Sequence, residues 1–461
     1  MRKKITTSLM ALSLMAQSLG CVAADKPTVS QNFGSVRVRG TLSQTKVLQG
    51  SDGLIYLQVD MEGAEKNIRR ERKPTDFVVV LDRSGSMGDE KKMNYAHRAI
   101  NSLINQLQAT DRFALVAFDS QVETPIYMTY ATTPNKSRFQ QIVNQIEPRG
   151  GTNLSDGLLQ GISQVQASQR DRAQRMILIS DGLANEGITD TASIERIAAG
   201  AVRDTFAIST IGVGIDFNES LMAGVADHGR GNYYYLEKLA MLDKVLSDEF
   251  HKANQIVASD VRIEMELGDG VVLTDASGYP YFQQGRQIVV EPGHVYGGQK
   301  KSLFLTFQLP TGSPSLRPLG KVRLTFNADD RKQEVILVGN DVRISCLPGE
   351  RRQEVLSSID KNVYEKAWTE NNYGKFLKEN AAKVSQGDQA GALSTIQVYR
   401  DELEKAYQAA PTPGMKQKLE ALEPQKTQVQ EAFSSSDAAT ATKKLSKDLQ
   451  YQGIQKQRSG E

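Results

Sequence analysis

The sequence has 461 residues and a formal net charge of +2, and 24% of its residues are charged while 39% are hydrophobic. A chain of this length supports two or three domains, each with its own core. The composition excludes a fibrous or wholly disordered protein. The balanced charge gives no support to nucleic-acid binding.

The N-terminal segment has the three-part pattern of a secretory signal peptide. Residues 1–24 have a basic start, a short and mostly apolar middle and a small-residue end. Small residues at Val22 and Ala24 predict cleavage after Ala24, although lipidation of Cys21 is an alternative. Cleavage changes the net charge from +2 to −1, because the segment carries three basic residues and no acidic one. We therefore expect an exported protein that is periplasmic, bound to the cell surface or secreted.

Cysteine content and hydropathy limit how the mature chain is held together. Only Cys346 remains after cleavage, so an intramolecular disulfide is excluded. It alternates with Val342 and Ile344 in a strand-like stretch, which predicts a buried small hydrophobic residue. No apolar run after the leader reaches the roughly 18 residues that a membrane-spanning helix needs. We expect no transmembrane segment in the mature chain.

Changes in hydrophobic periodicity divide the chain into segments. Alternation over residues 25–75 predicts short β-strands, and alternation returns over 255–349 as an antiparallel β-sandwich that these early strands join. Between them, residues 76–254 have the pattern of an α/β domain. The chain turns helical over 350–433, and the polar end, 434–461, is expected to be a flexible tail.

The α/β segment alternates short apolar strands with helical repeats, which predicts a mainly parallel sheet. Runs that are apolar at every position indicate strands buried on both faces. The stretch VETPIYMTY follows a strand after only three residues, which is too short for a crossover helix, so we expect an antiparallel edge strand. The predicted parallel strands are 77–81, 112–118, 176–180, 205–213 and 232–236. The predicted helices cover 96–107, 154–165 and 239–250.

Hydroxyl and carboxyl side chains occur in three loops of this segment. Asp82, Ser84 and Ser86 follow the first predicted strand in the stretch DRSGSMG. Thr152 follows a Gly-Gly pair and opens a helix, and Asp181 comes directly after the strand MILIS. Because functional groups gather beyond the carboxyl ends of parallel strands, we expect these five side chains to converge.

The five side chains form a set of oxygen donors without histidine or cysteine. Hard oxygen donors favour Mg²⁺ or Mn²⁺ over zinc or copper, with Ca²⁺ as a further alternative. Three hydroxyls and two carboxylates leave such an ion short of ligands, so at least one position stays exchangeable for water or a partner's carboxylate. Asp119, after another strand, is a further candidate near the ion, although a turn residue is the simpler interpretation.

This pattern resembles the metal-ion-dependent adhesion site of the von Willebrand factor type A (vWA) family. The D-x-S-x-S motif corresponds to Asp82, Ser84 and Ser86, with Thr152 and Asp181 at the family's later threonine and aspartate positions. The resemblance covers the whole α/β segment and implies a doubly wound sheet with the ion at its top. With β strands on both sides and helices after it, the domain looks like exported bacterial vWA proteins related to the calcium-activated chloride channel group and the inter-α-trypsin inhibitor heavy chains.

The resemblance and the donor set together favour a binding protein over an enzyme. In this interpretation the cation accepts an acidic residue of a protein partner. A metal-dependent hydrolase is an alternative, but it normally needs a positioned base or nucleophile, and the sequence has no HExxH, G-x-S-x-G or P-loop lysine. An envelope assembly or scaffold protein with a mainly structural metal is a third interpretation.

Overall fold

The described part of the 461-residue chain, in a computed structural model, consists of residues 28–65, 72–166, 172–202, 206–237, 239–329 and 331–458. The expected signal peptide, residues 1–24, and the lipidation candidate Cys21 lie outside it. Within these ranges no helix is long and apolar enough to cross a membrane.

Three of the first four described strands belong to one antiparallel sheet. The four strands are β1 (Thr28–Phe33), β2 (Val36–Leu42), β3 (Lys46–Leu48) and β4 (Leu54–Gly63). Strand β2 lies between β1 and β4, while β3 belongs to a separate small sheet. The alternate valines Val36 and Val38 are buried, whereas Arg37 and Arg39 are exposed, as expected for a strand with one face on a core.

The central α/β domain is built on a six-stranded sheet. Its strands are β5 (Thr75–Asp82), β6 (Arg112–Phe118), β7 (Val122–Tyr130), β8 (Ala173–Ser180), β9 (Ala207–Val213) and β10 (Arg230–Leu236). The spatial order is β10-β9-β8-β5-β6-β7, in which only β7 runs antiparallel. The predicted parallel sheet with an antiparallel edge strand is therefore confirmed. Of the predicted strand 205–213, Thr205 lies outside the described residues.

Helices cover both faces of this sheet and enclose two apolar cores. They are α1 (Lys92–Gln106), α2 (Thr133–Val143), α3 (Leu154–Gln166), α4 (Thr191–Ala201), α5 (Glu219–His228) and α6 (Leu242–Ala253). Helices α1 and α6 pack on one face, and α3, α4 and α5 pack on the other. Burial on both faces explains why every residue of β5 is buried.

The chain then returns to antiparallel strands. They are β11 (Ile256–Leu267), β12 (Val272–Ala276), β13 (Tyr281–Gln284), β14 (Gln287–Val290), β15 (Val295–Tyr296), β16 (Lys300–Gln308), β17 (Ser315–Pro318), β18 (Gly320–Ala328), β19 (Arg331–Val338) and β20 (Arg343–Leu347). Strand β16 pairs with β4, so the strands before and after the α/β domain share a sheet. Cys346 is a buried free thiol in this core, as the alternation pattern predicts.

The C-terminal part is helical. Its α-helices are α7 (Arg352–Ser358), α8 (Lys361–Lys366), α9 (Tyr373–Ser385), α10 (Gln389–Ala409), α11 (Pro413–Glu420), α12 (Leu422–Ser434) and α13 (Ala438–Arg458). A π-helical segment, Ala367–Asn372, joins α8 to α9. The observed sheets and helices confirm the predicted fold class: a mainly parallel α/β domain with antiparallel sheets and a helical C-terminal region.

Of the predicted flexible tail, residues 434–461, the last three lie outside the described residues, and over Ala438–Arg458 the structure has helix α13 instead. Its apolar residues Leu445, Leu449 and Ile454 are buried, and α9 is its main packing partner. Arg458 and Lys447 form ion pairs with the α/β domain, at Asp227 and Glu219. Polar composition was misleading here, because partners distant in sequence compensate the charges that the helix buries.

Candidate metal site

The first loop of the candidate site begins where the central strand β5 ends. Asp82 closes β5, and its Oδ1 atom accepts a hydrogen bond of 2.8 Å from the backbone N–H of Ser84. The chain then enters a 3₁₀ helix, Gly85–Lys91, which carries Ser86. This tight turn brings a carboxylate and two hydroxyls to the same edge of the sheet.

The five predicted ligands lie together at this edge. The Oγ atoms of Ser84 and Ser86 are 3.2 Å apart, and Ser86 Oγ donates to Asp181 Oδ1 at 2.8 Å. A methyl group added at Gly182 would lie 3.1 Å from Thr152 Oγ1 and 3.8 Å from both Asp82 Oδ2 and Ser84 Oγ. Side chains from all three predicted loops therefore surround one small space, which we call the cradle.

Backbone hydrogen bonds hold the first and second loops against each other. The Gly85 N–H donates to Gly150 O at 3.1 Å, and the Arg149 N–H donates to Arg83 O at 2.6 Å. Gly150 has a φ of +69° and lies close to Ser120, so a side chain there would be strained. These contacts fix the position of the first loop relative to the second.

The third loop is tied to the second in the same way. Thr152 N–H donates to Asn185 Oδ1 at 2.8 Å, and Asn185 N–H donates back to Thr152 O at 3.1 Å. Since ordered loops lose little further conformational entropy on binding, an ion would meet a largely preorganised donor set.

The cradle has buried walls and one accessible side. The predicted ligands Asp82, Ser84, Thr152 and Asp181 are buried, whereas Ser86 and Gly182 are partly exposed. Burial raises the pKa of Asp82 to about 6, against the opposing effect of hydrogen bonds from Ser180 and Ser84. A carboxylate that the protein compensates only in part favours binding of a cation.

The donor set fits a hard divalent cation. Hydroxyl and carboxylate oxygens suit Mg²⁺, Mn²⁺ or Ca²⁺, and three of these oxygens lie 3.1–3.8 Å from the position of a methyl group added at Gly182. Within the described ranges, no cluster of three or more His, Cys, Asp or Glu residues is arranged to hold a metal ion. The cradle itself combines only two carboxylates with three neutral hydroxyls.

Asp119 does not join the cradle. Its Oδ2 atom accepts hydrogen bonds from Arg83 Nε at 2.7 Å and from Arg149 Nε at 2.8 Å. Its Oδ1 atom accepts one from the Gln121 N–H at 2.7 Å. These contacts favour the interpretation of Asp119 as a turn residue that braces the two arginines.

Sequence reasoning missed Lys92, the first residue of α1. Its Nζ atom lies 2.6 Å from Asp181 Oδ2 and 3.3 Å from the backbone oxygen of Ser86, and its side chain is 6% exposed. The signal was present, because Lys92 shares four-residue spacing with the buried residues Ala96 and Ile100. A lysine on the apolar face of a helix points to a buried anionic partner.

Comparison with known proteins identifies the α/β domain. A family model described as the von Willebrand factor type A domain matches residues 76–248. The uncharacterized protein YfbK of Escherichia coli (strain K12) is 29% identical over 217 residues, which are 46% of this chain and 36% of that protein. Inter-alpha-trypsin inhibitor heavy chain H3 of Rattus norvegicus is 26% identical over 228 residues, which are 47% of this chain and 25% of that protein. The match thus spans about a third or less of either relative.

Solved structures support the architecture beyond this domain. A von Willebrand factor type A protein from Catenulispora acidiphila has a TM-score of 0.64 at 15% identity, and the match covers 95% of this chain and 99% of that one. At this identity the likeness shows the fold alone. Together with the family model and the similarity to an inter-alpha-trypsin inhibitor heavy chain, it confirms the family resemblance predicted from the sequence. Residues 76–248 of this chain are a von Willebrand factor type A domain.

Proposed function

We propose that the vWA domain binds Mg²⁺ or Mn²⁺ in the cradle and captures an acidic residue of a protein partner there. The observation that carries this proposal is the convergence of oxygen donors from three loops within hydrogen-bond or contact distance of one another. A bound ion would supply a coordination position for the partner's carboxylate. Ser84, Ser86 and Thr152 would hold the ion through hydroxyls, while Asp82 and Asp181 would supply negative charge.

The surface beside the cradle favours a protein partner. Leu183 and Ile188, in the loop that follows Asp181, are 57% and 42% exposed. Apolar side chains next to a charged site suit the mixed chemistry of a protein interface, where a polar anchor is surrounded by apolar contact. Selectivity would come from this rim, because a contact between a carboxylate and an ion is the same for any acidic residue.

Catalysis has little support in the groups around the cradle. The nearest nitrogen base is Lys92, whose Nζ atom already contacts Asp181 and the Ser86 carbonyl. Three of the four histidines, His97, His228 and His251, bond the backbone carbonyls of Ile146, Gly224 and Ser247, none of which belongs to the cradle. We therefore favour a binding role without enzymatic activity, and an assay for Mg²⁺-dependent hydrolysis of phosphate esters and peptides is expected to be negative.

The first experiment measures ion binding directly. Calorimetric titration of the purified chain with Mg²⁺, Mn²⁺ and Ca²⁺ is expected to show one site, and Asp82→Asn is expected to abolish it. The matched control is Asp89→Asn, which removes an exposed acid from the same loop and should leave binding unchanged. Absence of uptake by the wild-type chain would contradict the proposal.

The second experiment tests capture of a partner. Immobilised wild-type protein is incubated with envelope extract in Mg²⁺ and again in EDTA, with the Asp82→Asn variant in parallel. A partner that is lost in EDTA and with the variant supports capture through the ion. Capture that resists chelator favours the alternative of a scaffold protein with a structural metal.

Export is part of the proposal and needs its own test. The basic, apolar and small-residue pattern of residues 1–24 supports a cleaved leader, with Cys21 as the alternative lipidation site. Mass spectrometry of the protein from the envelope fraction is expected to find an N-terminus at Asp25. A lipid-modified N-terminus at Cys21, abolished by Cys21→Ala, would show the alternative instead.

A further inference from the structure

Lys92 places a fixed positive charge at the edge of the cradle. Its Nζ atom contacts Oδ2 of Asp181, while Oδ1 of the same carboxylate accepts from Ser86 Oγ. The two oxygens of Asp181 therefore have separate partners, one on the lysine side and one on the cradle side. This arrangement leaves Oδ1 facing the donors of the proposed ion site without displacing the lysine.

The lysine is part of the fold and is not a mobile surface group. Lys92 lies on the buried face of α1. The loop after β9 covers the end of its side chain, because a methyl group on Gly214 would lie 3.4 Å from Lys92 Cε and 3.6 Å from Nζ. Its neighbour Lys91 is exposed. The charge of Lys92 is thus held at a set distance from Asp181, and solvent screens it less than a surface charge.

Lys92 changes the net charge around a bound cation. Asp82 and Asp181 carry two negative charges, which would neutralise a divalent ion. With Lys92 at 2.6 Å from Asp181, these three side chains together contribute one net negative charge, and with a divalent ion they would carry one net positive charge. Excess positive charge repels a second cation and attracts a carboxylate in a poorly screened site.

We propose that Lys92 is a positioning residue that weakens binding of the divalent ion and strengthens binding of a carboxylate to the loaded site. This inference rests on the proposed function of the cradle. It predicts opposite effects of one substitution: removal of the charge tightens binding of the ion and weakens binding of the carboxylate. A lysine that only packed α1 against the sheet would not produce these opposite changes.

The test uses the full chain with Lys92→Met and, because a methionine removes the lysine donor from Oδ2 of Asp181, also Lys92→Gln. Mn²⁺ affinity is measured by calorimetry. Acetate binding to the Mn²⁺-loaded protein is measured as the fall in water-proton relaxation when acetate is added. We expect Mn²⁺ to bind about tenfold more tightly and acetate several-fold more weakly in both variants, because a unit charge near the ion is lost.

Two control variants separate charge from general disturbance. Lys92→Arg keeps the charge and is expected to restore both affinities toward the wild-type values. Lys91→Met removes a neighbouring exposed lysine and is expected to change neither. If Lys92→Met does not fold, as judged by circular dichroism, Lys92→Gln carries the same comparison with Lys92→Arg.

The outcomes distinguish this inference from the proposed function. A wild-type chain that takes up no Mn²⁺ would overturn both. A wild-type chain that binds Mn²⁺, with Lys92→Gln equal to or weaker than wild type in Mn²⁺ affinity, would overturn the inference and leave the proposed function in place. Tighter Mn²⁺ binding without weaker acetate binding would overturn the second half of the inference.

Discussion

The two ends of strand β8 have surroundings that differ in their side chains and in their burial. At the carboxyl end, Asp181 joins small hydroxyl side chains in the partly open cradle. Near the amino end, Arg175 is fully buried at the junction with the β-sandwich, with its Nε atom 3.8 Å from Glu249 Oε2 and its Cζ atom 5.6 Å from the ring centroid of Tyr296. One strand thus carries the proposed ion site at one end and contacts with the next domain at the other.

The difference lies in how each buried acid is compensated. Glu249 accepts hydrogen bonds from three side chains: Ser209, Asn232 and Tyr234. Although burial raises the pKa of Glu249, the charges of Arg175 and Lys252 outweigh that effect and hold it below its ordinary value. In contrast, burial dominates at Asp82 and raises its pKa to about 6. A buried acid that the protein compensates fully supports structure, and one that it compensates in part supports ligand binding.

The largest expected effect is on stability, at the amino end of β8. Arg175→Met leaves Glu249 buried without its arginine, and we expect the free energy of unfolding in urea to fall by about 3 kcal/mol. Mn²⁺ affinity should stay within a factor of about three, because sites without shared partners act independently. Arg196→Met, at an exposed arginine of α4, is the matched control and should have almost no effect on stability. A large loss of Mn²⁺ affinity in Arg175→Met would show that the two ends are coupled.

Metal addition is the second largest effect, and it tests the carboxyl end. Mn²⁺ at a hundred times its dissociation constant should raise the free energy of unfolding by about 2.7 kcal/mol, and EDTA should reverse this. The same increment is expected in Arg175→Met and no increment in Asp82→Asn, both measured by urea unfolding. An increment that persists in Asp82→Asn would place the ion elsewhere.

The comparison also explains what the sequence could and could not predict. The convergence of the five proposed ligands at the carboxyl end was predictable, because their loops follow apolar strands or precede a helix, and such loops have a defined place in a parallel sheet. The junction around Arg175 was not predictable, because its partners Glu249 and Tyr296 come from α6 and β15, far apart in the chain. Local periodicity carries no information on which charges meet across two domains.

Helix α13 was missed for the same physical reason. Its N-terminal half is mostly polar, and Lys447 is buried because Glu219 and the Phe217 carbonyl accept its charge and hydrogen bond. Tyr451 packs between Tyr233 and Tyr235 of edge strand β10, with ring centroids 5.9 and 6.0 Å away. A polar helix is stable here because residues distant in sequence provide hydrogen bonds and opposite charges for the polar side chains that it buries.

A smaller effect is expected from closing the cradle with one carbon atom. Gly182→Ala places a methyl group 3.1 Å from Thr152 Oγ1, so we expect Mn²⁺ affinity to fall by about tenfold, or 1.4 kcal/mol. Stability in EDTA should change by less than about 1 kcal/mol, because this glycine does not adopt a positive φ. The matched control is Gly85→Ala in the first loop, where the nearest atom to the added methyl is 3.7 Å away. Equal losses in both variants would mean that the methyl acts through the loop backbone and that the cradle is not the ion site.

The smallest expected effect is a pH dependence that follows from the pKa of Asp82. Acidification should raise folding stability in EDTA and lower the affinity for Mn²⁺. The folded-state pKa of Asp82, about 6, lies above its ordinary value of 3.8, so the folded chain holds this proton more tightly than the unfolded chain. In EDTA, Asp82 should therefore add stability as the pH falls from 7 through 6 toward 4.

Mn²⁺ binding needs the ionised carboxylate of Asp82, so the Mn²⁺ affinity should fall by up to tenfold per pH unit once the pH is below about 6. Calorimetry and urea unfolding at pH 7, 6 and 5 measure both effects, and Asp82→Asn should lose both. An Mn²⁺ affinity that does not change over this range would mean that Asp82 is ionised throughout, and the contrast between Asp82 and the fully compensated Glu249 would then fail.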